Sequence, residues 1–354
     1  MVDRHLYTIG WICAITTELI AARAFLDEKH DPPKERKAND PHNYELGKIA
    51  DHYVVIVCLP EGEYGTTSAA EAATSLTLSF PNIRFGLMVG IGGGAPTDNH
   101  DIRLGDVVVG IPGNGEGGTF AYDFEKRIQN QNSVKAGFLD QPPKLLRAVI
   151  PGLKASYKMH GHKLNEAVNE ALQNNPRLKQ EFSRPLTGDT LYKSTFAHVA
   201  GRSKNCLKCG DDPSNMIQRH PRQENQDDPA IHYGLIASAN KLMKDAITRD
   251  KLAAEKGVLC FDMEAAGLMN CFPCLVIRGI CDYADTHKND EWQGFAAMMA
   301  AAYARDLLRR FVPDERQQAY LLSRFFSVDL FLPLEAPLVL DGSPSKNTRH
   351  GLRI

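Results

Sequence analysis

Two acidic residues stand at the ends of apolar segments late in the chain: Glu264 in Phe261-Asp262-Met263-Glu264-Ala265-Ala266-Gly267, and Asp282 in Arg278-Gly279-Ile280-Cys281-Asp282-Tyr283. Carboxylates so placed are expensive to desolvate, and a fold keeps them mainly where a ligand or a reacting atom needs them. Glu18 is a third, where the apolar stretch Tyr7 to Ala14 gives way to helical periodicity. Alone it reads equally well as a first-turn acid favoured by the helix dipole. Three acids at three strand ends instead point to one pocket and to acid–base work on a bound small molecule.

Other short motifs are weaker. Gly90-Ile91-Gly92-Gly93-Gly94-Ala95 follows a strand and formally fits the dinucleotide fingerprint, but Pro96-Thr97-Asp98-Asn99-His100 cannot continue as the helix that would hold a pyrophosphate. The better reading is a glycine loop at Gly90, Ile91 and Gly92 that lets the backbone approach a ligand, against a purely structural turn. Cys206-Leu207-Lys208-Cys209 has half of a zinc-site spacing, with His198, His220 and His232 near in sequence. A second cysteine pair is absent there, so a surface loop with two free thiols is the commoner explanation, and no metal or other cofactor is expected. There is no G-x-S-x-G elbow and no P-loop.

The elements that must position the acids alternate. Strands are predicted at Tyr7 to Ala14, Tyr44 to Ala50, Tyr53 to Leu59, Phe85 to Gly90, Asp106 to Gly110, Tyr233 to Ala237, Val258 to Met263 and Pro273 to Ile280. Helices are predicted after Thr16 or Thr17, which would cap the first, over Thr67 to Phe80, from Ala237 to about Glu255, and over Trp292 to Arg310. This order predicts an α/β fold with a mostly parallel or mixed sheet covered on both faces, and a site at strand carboxyl ends. One domain is expected over 1–312, with a polar insertion or mobile cap at about 153–230, followed by a C-terminal helix and loose tail over 313–354.

Composition narrows the partners. The 354 residues are 43% hydrophobic and 24% charged, enough for a large core. Lys+Arg 41 against Asp+Glu 43 leaves a net charge of -2, too balanced for a sequence-independent nucleic-acid binder. Cysteines scattered through apolar segments read as buried hydrophobes in a reducing compartment. No run reaches membrane-spanning length and the N-terminus lacks a signal-peptide profile, so a soluble cytoplasmic protein is expected, with no membrane partner.

Taken together, Ile9-Gly10-Trp11-Ile12-Cys13-Ala14 with Glu18, Phe85 to Gly94, Asp101-Ile102-Arg103-Leu104-Gly105-Asp106, Phe261 to Ala266 and Ile277 to Asp282 resemble the nucleoside phosphorylase and nucleosidase superfamily, especially its fungal branch found in front of immune-receptor-type signalling ATPases. The resemblance spans about residues 7–310. It implies a mixed central sheet twisted toward a barrel and flanked by helices in three α/β/α layers, and a homo-oligomer. It also implies roles: the acid at Glu18 orients or deprotonates water, that at Glu264 bonds ribose hydroxyls, that at Asp282 protonates the purine ring nitrogen, and Met263 packs on the sugar. Asp262 stands where a glutamate is usual, Asn240 where bacterial nucleosidases tend to have an acid, and Leu242 where an aromatic often stacks on the base.

Hexameric phosphorylases carry Gly-Asp-Pro-x-Arg at the first strand end, whose arginine grips phosphate. Here the matching stretch is Ala14-Ile15-Thr16-Thr17-Glu18, a carboxylate in place of the cation. Phosphate is repelled by that charge and water is not, so hydrolysis is favoured over phosphorolysis. The expectation is a purine N-ribosyl hydrolase acting on an adenine nucleoside or nucleotide, ATP first, with a phosphorylase as runner-up and an inactive nucleoside-sensing module as a different class. Arg202, Lys204, Arg219 and Arg222 are candidate 5′-phosphate ligands, solvated loop charges being as good a reading.

Overall fold

A computed structural model describes residues 3–126, 134–135, 137–198, 209–210, 212–288 and 290–312. Its strands are β1 (Ile9–Cys13), β2 (Glu28–His30), β3 (Tyr44–Ile49), β4 (His52–Cys58), β5 (Phe85–Gly94), β6 (Val107–Gly110), β7 (Thr119–Ala121), β8 (Glu125–Lys126), β9 (Val134–Lys135), β10 (Ile231–Ser238), β11 (Val258–Asp262) and β12 (Cys274–Asp282). The helices are α1 (Thr16–Ala24), α2 (Thr66–Ser79), α3 (Lys144–His160), α4 (Leu164–Asn174), α5 (Lys179–Phe182), α6 (Ala246–Lys256), α7 (Ala265–Leu268) and α8 (Gln293–Arg310).

The main sheet runs β11-β10-β6-β12-β5-β1-β4-β3-β2, with β7 beside β10. Its centre is parallel: β1 with β4 and β5, and β5 with β12. β6 is antiparallel to β12. β11 then pairs antiparallel with β5, Cys260 opposite Gly94 and Phe261 opposite Gly93, which closes β11-β10-β6-β12-β5 into a five-stranded barrel. The expected mixed α/β sheet twisted toward a barrel is what the chain forms.

Closure depends on the glycines, and here the structure corrects the sequence reading. Gly90 to Gly94 do not form a loop after the strand; they are the second half of β5. A Cβ on Gly92 would stand 2.9 Å from the Phe261 carbonyl oxygen, and one on Gly93 2.7 Å from Asp282 Oδ1. Only hydrogen fits where β11 and β12 both press against β5. No pyrophosphate-binding helix follows, as Pro96 leads one to expect.

α8 is buried along most of its length, with Phe295, Met298, Met299, Tyr303, Leu307 and Leu308 in the core. The first part of the expected polar insertion is not a loose cap: α3, α4 and α5 dock on α8, burying Leu153, Leu164, Val168, Leu172 and Phe182. Within α4, Leu164, Val168, Ala171 and Leu172 recur three and four apart, the helical period, in an otherwise polar stretch. The expected helix and tail over 313–354 lie outside the described residues. Among the described residues, no helix is long and apolar enough to cross a membrane.

Candidate active site

Glu18, Ile91, Gly92, Asp262, Met263, Glu264 and Asp282 all line one cavity of about 730 Å³, together with Tyr64, Phe261, Lys244, Lys288 and Leu242. The three acids are brought there by three elements. Glu18 sits in the first turn of α1, just past β1; Glu264 follows β11; Asp282 ends β12.

Glu18 is 4% exposed. Its Oε2 accepts from the Ala14 amide at 2.6 Å and the Ile15 amide at 3.3 Å, and its Oε1 from the Ile91 amide at 2.8 Å. The acid itself therefore closes the start of α1, and neither Thr16 nor Thr17 caps the helix, because Ile15 is the N-cap. Gly90 lines no part of the cavity; it lies beneath Glu18, and a Cβ on it would overlap Glu18 Oε1.

The residue that organises the cluster is Arg278, fully buried in the middle of β12. Its Nε donates to Asp262 Oδ2 at 2.9 Å, and its Nη2 also pairs with that oxygen. Nη2 reaches Glu264 Oε2 at 3.4 Å and Nη1 stands 3.8 Å from Glu18 Oε1. One guanidinium faces three carboxylates. Burial raises the Glu264 carboxyl most; Arg278 opposes this, Asp262 and Glu18 reinforce it, and the result is a pKa pushed up to about 7. Burial likewise raises Glu18, against the pull of Arg278 and the backbone amides. Burial works against the charge of Arg278, but the carboxylates outweigh it and hold it above its usual range. Arg278 belongs to no recognisable motif; its one signal in the sequence is a charged residue inside the apolar run Cys274-Leu275-Val276-Ile277-Arg278-Gly279-Ile280.

Asp262, one methylene shorter than the glutamate usual there, spends Oδ2 on Arg278. Its Oδ1 is buried and, among the described residues, has no hydrogen-bond partner. Glu264 Oε1 accepts from the Gly65 amide at 3.3 Å. Asp282 Oδ1 accepts from the Ala284 amide at 2.8 Å and pairs with Lys288 Nζ at 2.6 Å. Ala284 has φ of 51°, a left-handed conformation costly for a residue with a Cβ. It bends the chain so that its amide points back at Asp282. Burial disfavours the Lys288 ammonium, yet Asp282 more than compensates and holds its pKa above the usual lysine range. Lys288 was not anticipated, since a lysine six residues past a strand carries no pattern.

Other expected residues lie elsewhere. Asn240 Oδ1 accepts from the Thr66 amide at 2.8 Å and from Thr66 Oγ1 at 3.0 Å, closing the N-terminus of α2 and facing a neighbouring hollow. Leu242 lines the cavity but is 54% exposed, a rim position. Arg219 and Arg222 are not in the cavity wall. Arg219 is taken up by Asp189 at 2.6 Å and Tyr283 Oη at 2.6 Å, and Arg222 by Asp106 at 2.5 Å. Burial of Asp106 works against its charge, but Arg222 and His232 hold its carboxyl below the usual range, so this is a buried structural pair. Arg202, Lys204 and Cys206 lie outside the described residues. Cys209 is buried with His198 Nδ1 3.1 Å from its Sγ, whereas His232 pairs with Asp106 at 2.9 Å.

The closed five-stranded barrel flanked by helices is a fold that the chain shares with solved nucleosidases. It superposes on the 5′-methylthioadenosine/S-adenosylhomocysteine nucleosidase of Neisseria meningitidis in complex with methylthio-immucillin-A, with a TM-score of 0.53, 16% identity, and coverage of 85% of this chain and 98% of that one. It superposes likewise on futalosine hydrolase of Helicobacter pylori, with a TM-score of 0.51, 14% identity, and coverage of 87% and 99%. In sequence it is 45% identical over 302 residues to a nucleotide-binding leucine-rich repeat (NLR)-like protein of Hyaloscypha variabilis, matching 85% of this chain and spanning only 29% of that relative. It is 23% identical over 315 residues to a 5′-methylthioadenosine/S-adenosylhomocysteine nucleosidase of Mycobacterium bovis, covering 85% of this chain and 96% of the relative. No family model matches the chain.

Proposed function

We propose that this chain is a purine N-ribosyl hydrolase that releases free base from an adenine nucleoside or nucleotide. The observation that carries the reading is the joint presence of Glu18, Glu264 and Asp282 in one cavity wall. Breaking the N-glycosidic bond puts negative charge on the leaving purine and positive charge on the sugar carbon. Asp282, having taken up a proton from solvent or from the Lys288 ammonium beside it, passes that proton to the base, and the carboxylates gathered by Arg278 stabilise the sugar cation. Asp262 Oδ1 and Glu264 offer acceptors to ribose hydroxyls, Asp262 Oδ1 being a buried acceptor without a partner among the described residues. Glu18, held by three backbone amides and raised by burial, orients and deprotonates the attacking water.

Water rather than phosphate is supported by charge. Phosphate at the sugar would meet Glu18, Asp262 and Glu264 with Arg278 already committed to them. Adenine is supported by the relatives named for adenosine derivatives. Within that class ATP remains the favoured substrate: Lys244 lines the cavity and is exposed, with no ion pair among the described residues, in place of the arginines that are committed elsewhere. The similarity to an NLR-like protein supports a setting in which base release accompanies signalling.

The test is to incubate the protein with adenosine, inosine and ATP, with and without phosphate, and to chromatograph the products. Adenine released from ATP at equal rates in both buffers is the expected result. Base released only with phosphate means a phosphorylase, and no base from any substrate means a sensor. Gly90→Ala should lower turnover by at least about 10²-fold, because a Cβ there displaces the Glu18 carboxylate by about 1 Å. Steady-state kinetics alongside a thermal melt check this; unchanged kinetics would remove Glu18 from the mechanism.

A further inference from the structure

His198, Cys209 and His287 each offer one ligand atom, and these atoms lie within 4.8 Å of one another. His287 is 9% exposed, and among the described residues neither ring nitrogen has a hydrogen-bond partner. An imidazole buried without a hydrogen bond at either nitrogen, and with only a carboxylate at 3.7 Å from Nδ1, is costly and leaves Nε2 to ask for a ligand. Tyr192 stacks on the ring at 4.1 Å between centroids and Phe196 lies beside Tyr192, 5.4 Å from the imidazole and nearly parallel to it, so the ring is held in place while its nitrogen edge can bind. His198 Nδ1 already approaches Cys209 Sγ at 3.1 Å. Asp285 Oδ2 stands 3.7 Å from His287 Nδ1, where a carboxylate orients a metal-bound imidazole.

We infer that these three side chains form a zinc site at the edge of the cavity, with the fourth position filled by water or a further donor. The donor set, one thiolate sulfur and two imidazole nitrogens, selects a thiophilic, tetrahedral divalent ion over calcium or magnesium. Tetrahedral zinc, with bonds of about 2.0–2.3 Å to nitrogen and sulfur, places its ligand atoms about 3.3–3.7 Å apart, which side-chain adjustments of about 1 Å achieve here. Binding replaces the thiol proton, released to solvent, with a zinc–sulfur bond.

The metal would staple two stretches together. Cys209 and His198 belong to the polar segment, and His287 to the loop between β12 and α8 that also carries Thr286 and Lys288. His198, Thr286 and Lys288 line the cavity, and the His198 amide already donates to Thr286 Oγ1 at 2.8 Å. Zinc therefore holds the wall against which Asp282 and Lys288 pair. The inference does not depend on what the cavity cleaves.

The test uses the full chain, expressed with supplemented zinc and analysed by elemental mass spectrometry, then stripped and titrated with Co²⁺. About one zinc per chain, and an intense tetrahedral cobalt spectrum with a thiolate-to-cobalt band, are expected. Cys209→Ser should abolish that band, and His287→Gln should weaken metal affinity by at least about 10²-fold, each with an unchanged circular dichroism spectrum. Chelation should lower the melting temperature of the wild type but not of Cys209→Ser. A wild-type chain that purifies without metal and shows no thiolate band on titration overturns the proposal. So does a band that survives both substitutions, which would place the metal on other cysteines. The wild-type titration decides the matter even if a variant fails to fold.

Discussion

Asp282→Asn is expected to slow base release by about 10²–10⁴-fold while the protein stays folded, because the substitution keeps the shape of the side chain and removes its capacity to deliver a proton. The amide still accepts from the Ala284 amide, so the left-handed turn after β12 is kept. The loss should fall on kcat more than on KM, since ring protonation develops in the transition state and not on binding. Lys288 loses its 2.6 Å partner in this variant, and the double variant with Lys288→Met separates the two effects. If Lys288 acts only by holding Asp282, adding Lys288→Met to Asp282→Asn costs little more. Rapid-quench measurement of adenine release is the direct readout, and near-normal turnover in Asp282→Asn would refute its role.

Arg278→Met carries the largest expected effect on stability, a loss of about 3–5 kcal/mol, because it leaves buried carboxylates of Glu18, Asp262 and Glu264 without their counter-charge. The pH dependence has a definite sign. Glu18 and Glu264 are both raised in the folded state, so the folded chain binds more protons than the unfolded one. Their contribution is intact below the ordinary glutamate range and is lost as pH rises through the folded values, about 7 for Glu264. Removing Arg278, which opposes both shifts, widens this loss. Denaturant titrations at pH 5 and pH 8 should therefore show a smaller deficit at the lower pH. A deficit that is constant with pH would mean that the damage is a packing defect and not uncompensated charge.

The closed barrel is where sequence and tertiary structure part company. Alternating apolar runs and helical periods show the β1, β3, β4, β5, β11 and β12 strands, the hairpin around Asp51 and His52, and helices α2 and α8, since period and turn chemistry are local properties. They do not show that Gly90 to Gly94 continue β5. That conformation is dictated by Phe261 and Asp282 pressing from two other strands, and glycine taken alone is compatible with a loop. In the same way α3, α4 and α5 are masked by a polar composition and become visible once α8 supplies a face to bury them.

For the site, residue type and placement alone determined the acids. Glu18, Glu264 and Asp282 announce themselves because a carboxylate at the end of an apolar strand is expensive wherever that strand packs. What only the tertiary structure decided is who shares their charge: Arg278 among three carboxylates, Lys288 on Asp282, Asp106 claiming Arg222, and Asn240 spent on the end of α2. Those assignments depend on distances of a few ångströms between residues far apart in sequence, and Coulomb and hydrogen-bond energies fall off over that same range.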